Sequence, residues 1–376
     1  MEVSLQLRYL NNQIMVVSTG LSGEAYRLIS IFQSEKIIKR SLKLHKRIEQ
    51  AIQRDEEGKL NRNYRKRLKF YLKHLGEYLY SVVFKDEIED SLNVAIGQAI
   101  RFNCDVNIRL VVSTDFLNIV PWELFYADGA FLCHVYDLYR HPFSLQPVKQ
   151  QARNMDNLSV LFVGANPNSD IYIRGQIDAV CAGIPPDKKD AFNLLVTPDA
   201  TVTKIASRIF AGTDILHMLA HGRYENQSKN IKSYFVVDGE SGKGPNRLSS
   251  EMLQSFCRAN PMKLAILGAC RSDQAFDYQS VQEEVILNGD YFSTAHALIK
   301  TGIPCVVGMS HPVSKIATEM LSRRLYIGLL QQGQSIARAM RQARLELFAH
   351  NDTLLPSDWF APVLYSRGLF YSKKGD

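Results

Sequence analysis

The sequence lacks the features that mark several large classes of protein. No apolar run approaches the ~18–20 residues of a transmembrane helix. Residues 1–8 alternate like a strand and contain no apolar core of a signal peptide. We therefore expect a cytoplasmic protein that does not insert into a membrane. No repeat of solenoid period is visible, which argues against that architecture.

Cysteine is scarce and irregularly spaced. The six cysteines include no CxxC pair, and no cluster of His, Asp or Glu has the spacing of metal ligands. The glycine-rich turn at residues 238–244 has the wrong spacing for a GxxxxGKS phosphate loop, so we interpret it as a surface turn. The sequence thus predicts free thiols in a reducing compartment, with no metal and no cofactor.

The composition is that of an ordinary globular protein. Hydrophobic residues make up 46% of the chain and charged residues 22%, with a mean hydropathy of −0.15. A length of 376 residues favours two domains or one large bilobal one. The polar stretch at 146–157 is the best linker candidate, which predicts domains at 1–150 and 151–376.

The two predicted domains differ in their pattern of elements. In the first, we predict a hairpin at residues 3–18, helices at 24–52, 61–83 and 86–102, and strands at 106–113 and 131–135. After residue 158, short apolar runs alternate regularly with amphipathic segments. This alternation predicts an α/β fold with a mainly parallel sheet covered by helices on both faces.

Positive charge concentrates between Lys36 and Lys73, within a net charge of +7. One interpretation is a nucleic-acid-binding surface. The other is the solvated face of amphipathic helices, because apolar residues recur among the charges at roughly helical spacing. No RNA-binding or zinc-finger signature accompanies the segment, so we favour the second interpretation and do not expect nucleic acid as a direct partner.

Two short apolar runs end at reactive side chains. The first covers residues 215–220 and stops at His221-Gly222, and the second covers 264–267 and stops shortly before Cys270. Such runs are typical of buried parallel strands. Because binding sites of open α/β sheets lie at the carboxyl ends of the strands, two adjacent strands would bring the imidazole and the thiol to one edge.

That pairing has a chemical purpose. A thiol attacks well as the thiolate, and a neighbouring imidazole takes up its proton or stabilises the anion. Gly222 allows close approach of the backbone, so the N–H groups of Gly222 and Cys270 are candidates for an oxyanion hole. The alternative is a histidine and a cysteine of the core. We prefer that alternative for His217, which lies in mid-strand, and the functional role for His221 and Cys270.

The residues around both strands resemble the CHAT domains, which are caspase-like cysteine peptidases related to separase. The spacing of 49 residues between His221 and Cys270 is near the ~50 found in caspases. The resemblance covers about residues 105–370 and includes a Pro-Trp-Glu element. The matching segments are 119–124, 216–222, 266–270, 295–308, 333–339 and 358–365.

This resemblance implies a bilobal fold, in which a degenerate caspase-like lobe precedes the catalytic lobe. It implies endopeptidase activity with His221 as general base and Cys270 as nucleophile. In prokaryotes such peptidases act in antiphage defence on a specific protein, such as a gasdermin-like pore former or a CRISPR-linked effector. A separate activator protein is also expected. An alternative is a caspase-like scaffold that acts by docking alone.

Two segments depart from separase-like relatives. Acidic residues that attract a basic P1 side chain are absent after Gly308, where the chain reads Ser310, His311 and, further on, Ser314-Lys315. The sequence therefore predicts an uncharged or acidic P1 residue, with Asp238 and Asp273 as the carboxylates able to reverse that preference. The long polar segment 271–290 after the nucleophile predicts a loop that orders on activation.

Overall fold

The computed structural model describes residues 1–11, 13–21, 23–113, 115–142, 158–168, 173–227, 230–260, 262–268, 290–292 and 294–367. The predicted linker at 146–157 lies outside these residues, as do Cys270 and Asp273. Within the described part, helices cover both faces of a large central sheet, as the alternating pattern predicts.

Seventeen strands are present among the described residues. They are β1 (Glu2–Leu10), β2 (Gln13–Gly20), β3 (Gly23–Ile29), β4 (Asn107–Val112), β5 (Tyr126–Ala127), β6 (Ala130–Phe131), β7 (Asp137–Pro142), β8 (Val160–Gly164), β9 (Phe192–Val196), β10 (Ile215–Leu219), β11 (His221–Gln227), β12 (Asn230–Val237), β13 (Asn246–Ser249), β14 (Leu264–Leu267), β15 (Asp290–Phe292), β16 (Cys305–Met309) and β17 (Pro362–Ser366).

The helices of the described residues differ widely in length. They are α1 (Ile31–Glu56), α2 (Arg62–Val83), α3 (Glu87–Phe102), α4 (Leu132–Val135), α5 (Ile173–Gly183), α6 (Val202–Phe210), α7 (Ser250–Ala259), α8 (Thr294–Lys300), α9 (Lys315–Tyr326) and α10 (Ile336–Ala349). Short 3-10 turns lie at Asp115–Ile119, Trp122–Leu124, Pro186–Ala191 and Glu240–Gly242, and a π-helical turn at Ile327–Gln331 follows α9.

The central sheet contains eleven strands in the order β3-β2-β1-β4-β7-β17-β16-β14-β10-β8-β9. Neighbours are antiparallel at β3–β2, β2–β1 and β17–β16 and parallel elsewhere. The sheet therefore has two parallel blocks of opposite direction, β1-β4-β7-β17 and β16-β14-β10-β8-β9. Their carboxyl ends lie at opposite edges.

Successive residues of the central strands face opposite sides of the sheet. Ile215 belongs to the apolar core on one face, and Leu216 and Met218 belong to the core on the other. All residues of β10, β14 and β16 are buried. Burial on both faces explains why these strands are continuous apolar runs rather than alternating ones.

A second, smaller sheet lies next to the block β16-β14-β10-β8-β9, which we call the second block. It contains β11, β12, β13 and β15, with β12 paired antiparallel to β11 and β13 and parallel to β15. Since β11 begins two residues after β10 ends, the chain passes from the central sheet to this small sheet at His221.

Glycine permits one close helix contact in the first 150 residues. A Cβ on Gly76 of α2 would lie 2.0 Å from the carbonyl oxygen of Leu124. The absent side chain therefore allows α2 to pack directly on the turn that contains Trp122. The predicted helix at 61–83 is confirmed as α2, which begins with Asn61 accepting a hydrogen bond from the N–H of Tyr64 at 2.9 Å.

Two predicted elements of the first 150 residues are wrong in part, although α1 confirms the helix predicted at 24–52 from Ile31 onward. Residues 23–29 form the edge strand β3, whereas the sequence predicted a helix from residue 24. Pairing with β2 overrides a local preference that its Glu, Ala, Arg and Leu residues give to helix. The strand predicted at 131–135 is mostly the helical turn α4, because β6 ends at Phe131.

The boundary predicted at residue 150 does not divide the central sheet. Strand β17, near the carboxyl terminus, lies between β16 and β7, with Tyr365 paired to Arg140. Helix α10 also packs on β7 and α4. The two predicted lobes thus share one sheet, and their separation by function remains a prediction.

Candidate active site

Strands β10 and β14 are adjacent and parallel, as the sequence predicts. Ile215 pairs with Leu264 and Met218 with Leu267. The N–H of Gly268 donates to the carbonyl of Met218 at 2.8 Å, which extends the pairing by one residue. His221 follows Met218 by three residues, and Cys270 follows Leu267 by three. The two strands therefore end at one edge and in equal register.

His221 and Gly222 begin β11 at this edge. They pair with Val236 and Phe235 of β12, and His221 is half-buried. Ala220, which is buried, makes the turn between β10 and β11. The backbone on both sides of His221 is consequently held by sheet pairing, which fixes the position from which the imidazole projects.

His217 is a core residue. It is 1% exposed, its ring stacks on Tyr326 with centroids 5.8 Å apart, and it lies 5.1 Å from the ring of Phe162. Its Nδ1 has no hydrogen-bond partner among the described residues. Burial lowers the pKa of His217 to about 3, so the ring is neutral at physiological pH. The predicted packing role of this histidine is confirmed.

The described cysteines differ from an activated nucleophile. Five free thiols are present in the described part of the chain: Cys104, Cys133, Cys181, Cys257 and Cys305. Burial raises the pKa of Cys133 and of Cys257 to about 12, and it also raises the pKa of Cys181. Cys305 is buried in β16 and lies 3.4 Å from the hydroxyl of Ser366. Among these five described thiols, only Cys104 is exposed.

The carboxylate of Asp238 is occupied within the fold. One oxygen accepts from the hydroxyl of Thr197 at 3.0 Å, and the other accepts from the N–H of Ala200 at 3.0 Å. Asp238 is only 5% exposed. These bonds hold the segment between β9 and α6 against the end of β12 and occupy both carboxylate oxygens. Asp273, the other acidic candidate, lies outside the described residues.

Ser310, His311 and Ser314 follow β16 and make internal hydrogen bonds. The Ser310 hydroxyl lies 2.9 Å from His311 Nδ1, and His311 Nε2 lies 3.1 Å from the carbonyl oxygen of Ser357. Ser314 caps α9 by accepting from the N–H of Ala317, and it donates to Asp358 at 2.7 Å. His311 is 2% exposed. Each of these polar groups thus has a structural partner in the segment before β17.

Asp358 is a titratable residue at this edge that the sequence did not single out as a site. It is fully buried, and one oxygen accepts from Ser314 and from the N–H of Leu355 at 3.2 Å. Desolvation raises the pKa of this carboxyl to about 7, against the opposing effect of the Ser314 hydrogen bond. The only sequence signal was its place in the matching segment 358–365, since local pattern does not reveal the burial of a single Asp.

The basic segment forms the outer face of α1 and α2. Its apolar residues Ile37, Leu44 and Ile48 are buried in the core. Three arginines lie over tyrosine rings of the opposite helix, at 4.2–4.9 Å from the ring centroids: Arg40 on Tyr78, Arg47 on Tyr71 and Arg54 on Tyr64. The predicted amphipathic helices are confirmed, and these guanidinium groups help hold the two helices together.

The described residues include no group of three or more His, Cys, Asp or Glu side chains able to hold a metal ion. Likewise, none of the helices in the described ranges has the length and apolar character needed to cross a membrane.

Comparison with solved structures identifies the same fold in separase. Separase of Saccharomyces cerevisiae, solved in complex with securin, aligns over 97% of this chain with a TM-score of 0.57 and 13% identity. The chain spans 30% of the separase chain. Gingipain R, an Arg-specific cysteine proteinase, aligns over 82% of this chain and 67% of its own, with a TM-score of 0.41 and 10% identity.

Comparison of the sequence with curated proteins gives no match. The sequence profile of the CHAT domain, in contrast, matches residues 73–367, which is well over half of the chain. This range includes the Pro-Trp-Glu turn, both candidate strands and β17. Together with the caspase-like sheet, the match shows that the chain belongs to the CHAT domain family.

Proposed function

We propose that this protein is a cysteine endopeptidase, with Cys270 as nucleophile and His221 as general base. The observation that carries the proposal is the pairing of β10 with β14, which are parallel, adjacent and in a register that sets His221 and Cys270 equally far beyond their last paired residues. Two residues of chain span at most about 7 Å. On this ground, the proposal places Cys270 near Gly268, at the edge where His221 begins β11.

The chemistry follows from this arrangement. His221 accepts the thiol proton of Cys270, the thiolate attacks the scissile carbonyl, and the imidazolium then protonates the leaving amine. The resulting oxyanion accepts hydrogen bonds from the N–H groups of Gly222 and Cys270. In the second half of the reaction, water hydrolyses the thioester, which releases the acid product and regenerates the thiol of Cys270. No metal or cofactor is needed for any of these steps.

The other candidates of the same residue types are less suited to the role. His217 is buried and neutral, and its ring is stacked in the core. Among the described thiols, burial disfavours the thiolate of Cys133 and Cys257. These observations support His221 as the base and favour Cys270 as the nucleophile.

We further propose that the substrate is a specific partner protein. The resemblance to CHAT peptidases is the support for a role in prokaryotic antiphage defence, with a gasdermin-like or CRISPR-linked protein as the substrate. Separase, which shares the fold, was solved bound to the protein securin. A protein that contains this fold is thus found with a protein partner, which supports a protein partner here and is equally consistent with a scaffold without catalysis.

Labelling of the thiol distinguishes a peptidase from a scaffold. A peptidyl acyloxymethyl ketone library should modify Cys270 rapidly, and peptide mass spectrometry locates the adduct. We expect Cys270→Ala to abolish labelling and His221→Ala to slow it by at least ~100-fold. Cys104→Ala is the matched control, because Cys104 is an exposed thiol outside the proposed site. Equal labelling of Cys104 and Cys270 would leave the scaffold as the better proposal.

The segment 271–290 provides a proposal on regulation. Apart from Asp290, which begins β15, these residues lie outside the described part of the chain. We propose that the purified protein has low activity until a substrate, an activator protein or cleavage within 271–290 orders the segment. Full turnover of a protein substrate by the intact chain alone would contradict this.

The preference for the P1 residue remains open to test. We propose an uncharged or acidic P1, because an unpaired basic side chain in a desolvated pocket costs roughly 3–5 kcal/mol. Asp238 is committed to Thr197 and Ala200, which removes one of the two carboxylates able to reverse the preference. His311 and Ser314 bond to Ser357 and Asp358. Their place in the substrate pocket therefore stays a prediction. Cleavage of a peptide library mainly after Arg or Lys, lost in Asp273→Ala, would identify the other carboxylate as the determinant.

A further inference from the structure

A cavity of about 470 Å³ lies away from β10 and β14, between α2, the β5–β6 hairpin, α4, α10 and the segment before β17. Its volume is within the range of sites that bind small molecules, ~300–1,000 Å³. Neither His221 nor Gly222 is among its described lining residues. No local pattern of residues indicates this cavity, because its walls come from segments up to nearly 300 residues apart.

One side of the cavity is a compact group of aromatic rings. The ring centroids of Phe131 and Trp359 are 4.5 Å apart, those of His134 and Trp359 are 4.6 Å apart, and those of His134 and Phe348 are 4.8 Å apart. Burial lowers the pKa of His134 to about 3, so this ring is neutral and belongs to the apolar wall. Rings that brace one another in this way present a preformed surface to a flat apolar ligand.

The opposite rim is cationic. Lys69 and Lys73 of α2 line the cavity, and none of the described lining residues is acidic. Lys69 Nζ donates to Asn351 Oδ1 at 2.6 Å and to Asp352, a residue whose side chain is 92% exposed. Lys73 Nζ lies 3.8 Å from Glu77 and 5.0 Å from the ring centroid of Tyr126. Such exposed pairs contribute little to stability, so both ammonium groups are available to an incoming anion.

The cavity also adjoins the segment that follows β16. Trp359 and Pro356 line it, and between them Ser357 and Asp358 bond to His311 and Ser314. A ligand against Trp359 thus contacts the segment that bonds to residues 310–314, which follow β16.

From these features, we propose that the cavity binds a small amphipathic anion, an aromatic or branched apolar group that carries one carboxylate or sulfonate. The apolar part lies against Phe131, Phe348 and Trp359, and the anionic group pairs with Lys69 and Lys73. A neutral compound of the same shape leaves the two ammonium groups without a partner, so the charge of the ligand is part of the specificity.

Binding can be tested without any catalytic readout. The probe is 8-anilinonaphthalene-1-sulfonate, whose fluorescence rises in apolar sites, titrated into the full-length protein and displaced with 2-naphthoate or with 2-naphthamide. We expect displacement by the naphthoate at a concentration at least ~10-fold lower than by the neutral amide. Equal displacement by the two compounds would overturn the proposal.

Substitutions of the lining residues test whether the probe binds in this cavity. Lys69→Gln combined with Lys73→Gln should weaken binding of the probe and of 2-naphthoate at least ~10-fold. Lys43→Gln combined with Lys46→Gln removes the same charge from exposed positions of α1 and should leave binding within ~2-fold of the wild type. Ala130→Leu, which adds volume at the cavity wall, should reduce binding of both compounds while thermal melting shows a folded protein. Unchanged affinity in the Lys69 and Lys73 variant refutes the site, whether or not the protein proves to be a peptidase.

Discussion

Strand β10 carries its candidate catalytic residue beyond its carboxyl end, whereas β7 carries a charged residue buried within it. His221 projects from the edge at the start of β11, two residues after β10. Arg140 of β7 is 1% exposed, and its guanidinium bonds to Glu123 at 2.6 and 3.0 Å and to the carbonyl oxygens of Asn118 and Val120. The first arrangement places an ionisable group at the edge of the sheet, and the second places one in its core.

The comparison explains the Pro-Trp-Glu element. Trp122 is fully buried and donates from Nε1 to the carbonyl of Leu117 at 3.0 Å, while Glu123 pairs with Arg140 and lies 4.0 Å from Arg344 of α10. The carboxylate therefore anchors the turn after β4 to β7 and α10. A motif shared with a peptidase family thus has a structural role in one block of the sheet, while the other block carries the candidate chemistry.

The largest expected effect separates two histidines of the same strand region. His221→Ala should reduce kcat/KM by at least ~10³-fold with a melting temperature close to that of the wild type. His217→Ala should instead cost about 2–4 kcal/mol of unfolding free energy, because it removes a buried ring between Phe162 and Tyr326. Activity assays with an activated substrate and urea unfolding measure both effects.

The reverse pattern would contradict this distinction between a catalytic His221 and a structural His217. If His217→Ala inactivates a fully stable enzyme, the assignment of the base to His221 is wrong. If instead both variants only lose stability, His221 has a structural role like that of Arg140.

The next effect concerns the buried ion pair of β7. Glu123→Ala leaves Arg140 charged and unpaired in the core, which should cost roughly 3–5 kcal/mol of unfolding free energy. Lys39→Ala breaks a surface pair with Glu35, whose side chains are 62% and 51% exposed, and should cost less than ~0.5 kcal/mol. Urea unfolding of both variants gives the two values. A loss below ~1 kcal/mol in Glu123→Ala would show that the pair is not what anchors this turn.

The last expected effect depends on pH and concerns Asp358. Its pKa is raised to about 7 in the folded protein, against ~3.9 in an unfolded chain. Between about pH 4 and pH 7 the folded state thus binds more protons than the unfolded state, and the free energy of unfolding falls as the pH rises. Asp358→Asn keeps a neutral side chain at all pH values, so it should flatten this part of the profile.

Urea unfolding at intervals from pH 4 to pH 8 tests this prediction. Asp137 has a pKa raised to about 6, mainly by burial, and contributes a similar slope. The difference between wild type and Asp358→Asn isolates the contribution of Asp358, because Asp137 is common to both. Parallel profiles of the two proteins would indicate that Asp358 is ionised at low pH.

The second block, β16-β14-β10-β8-β9, was the more predictable half of the sheet. Strands β8, β10, β14 and β16 are buried runs that are apolar apart from His217, because a buried parallel strand must be apolar on both faces. The parallel pairing of β10 with β14 followed from these runs. The same local pattern placed His217 within a strand and His221 beyond one, which the structure confirms.

The other block was less predictable, because its strands depend on partners distant in sequence. Strand β7 was not predicted, since five of its six residues are buried through contacts with β4, β17 and α10, not through a periodic pattern. Strand β3 was predicted as helix, because only its pairing with β2 selects the extended form.

The sequence by itself determined the two apolar strands, the order of His221 and Cys270, and the family, because these features reside in short segments and their spacing. Only the tertiary structure decided that β17 joins both blocks into one sheet, that Glu123 neutralises Arg140, and that the polar groups of residues 310–314 bond to the segment before β17. Burial and hydrogen-bond satisfaction are properties of the assembled core. They join residues that no local pattern relates, such as Arg344 and the carbonyl of Leu138, 206 residues apart.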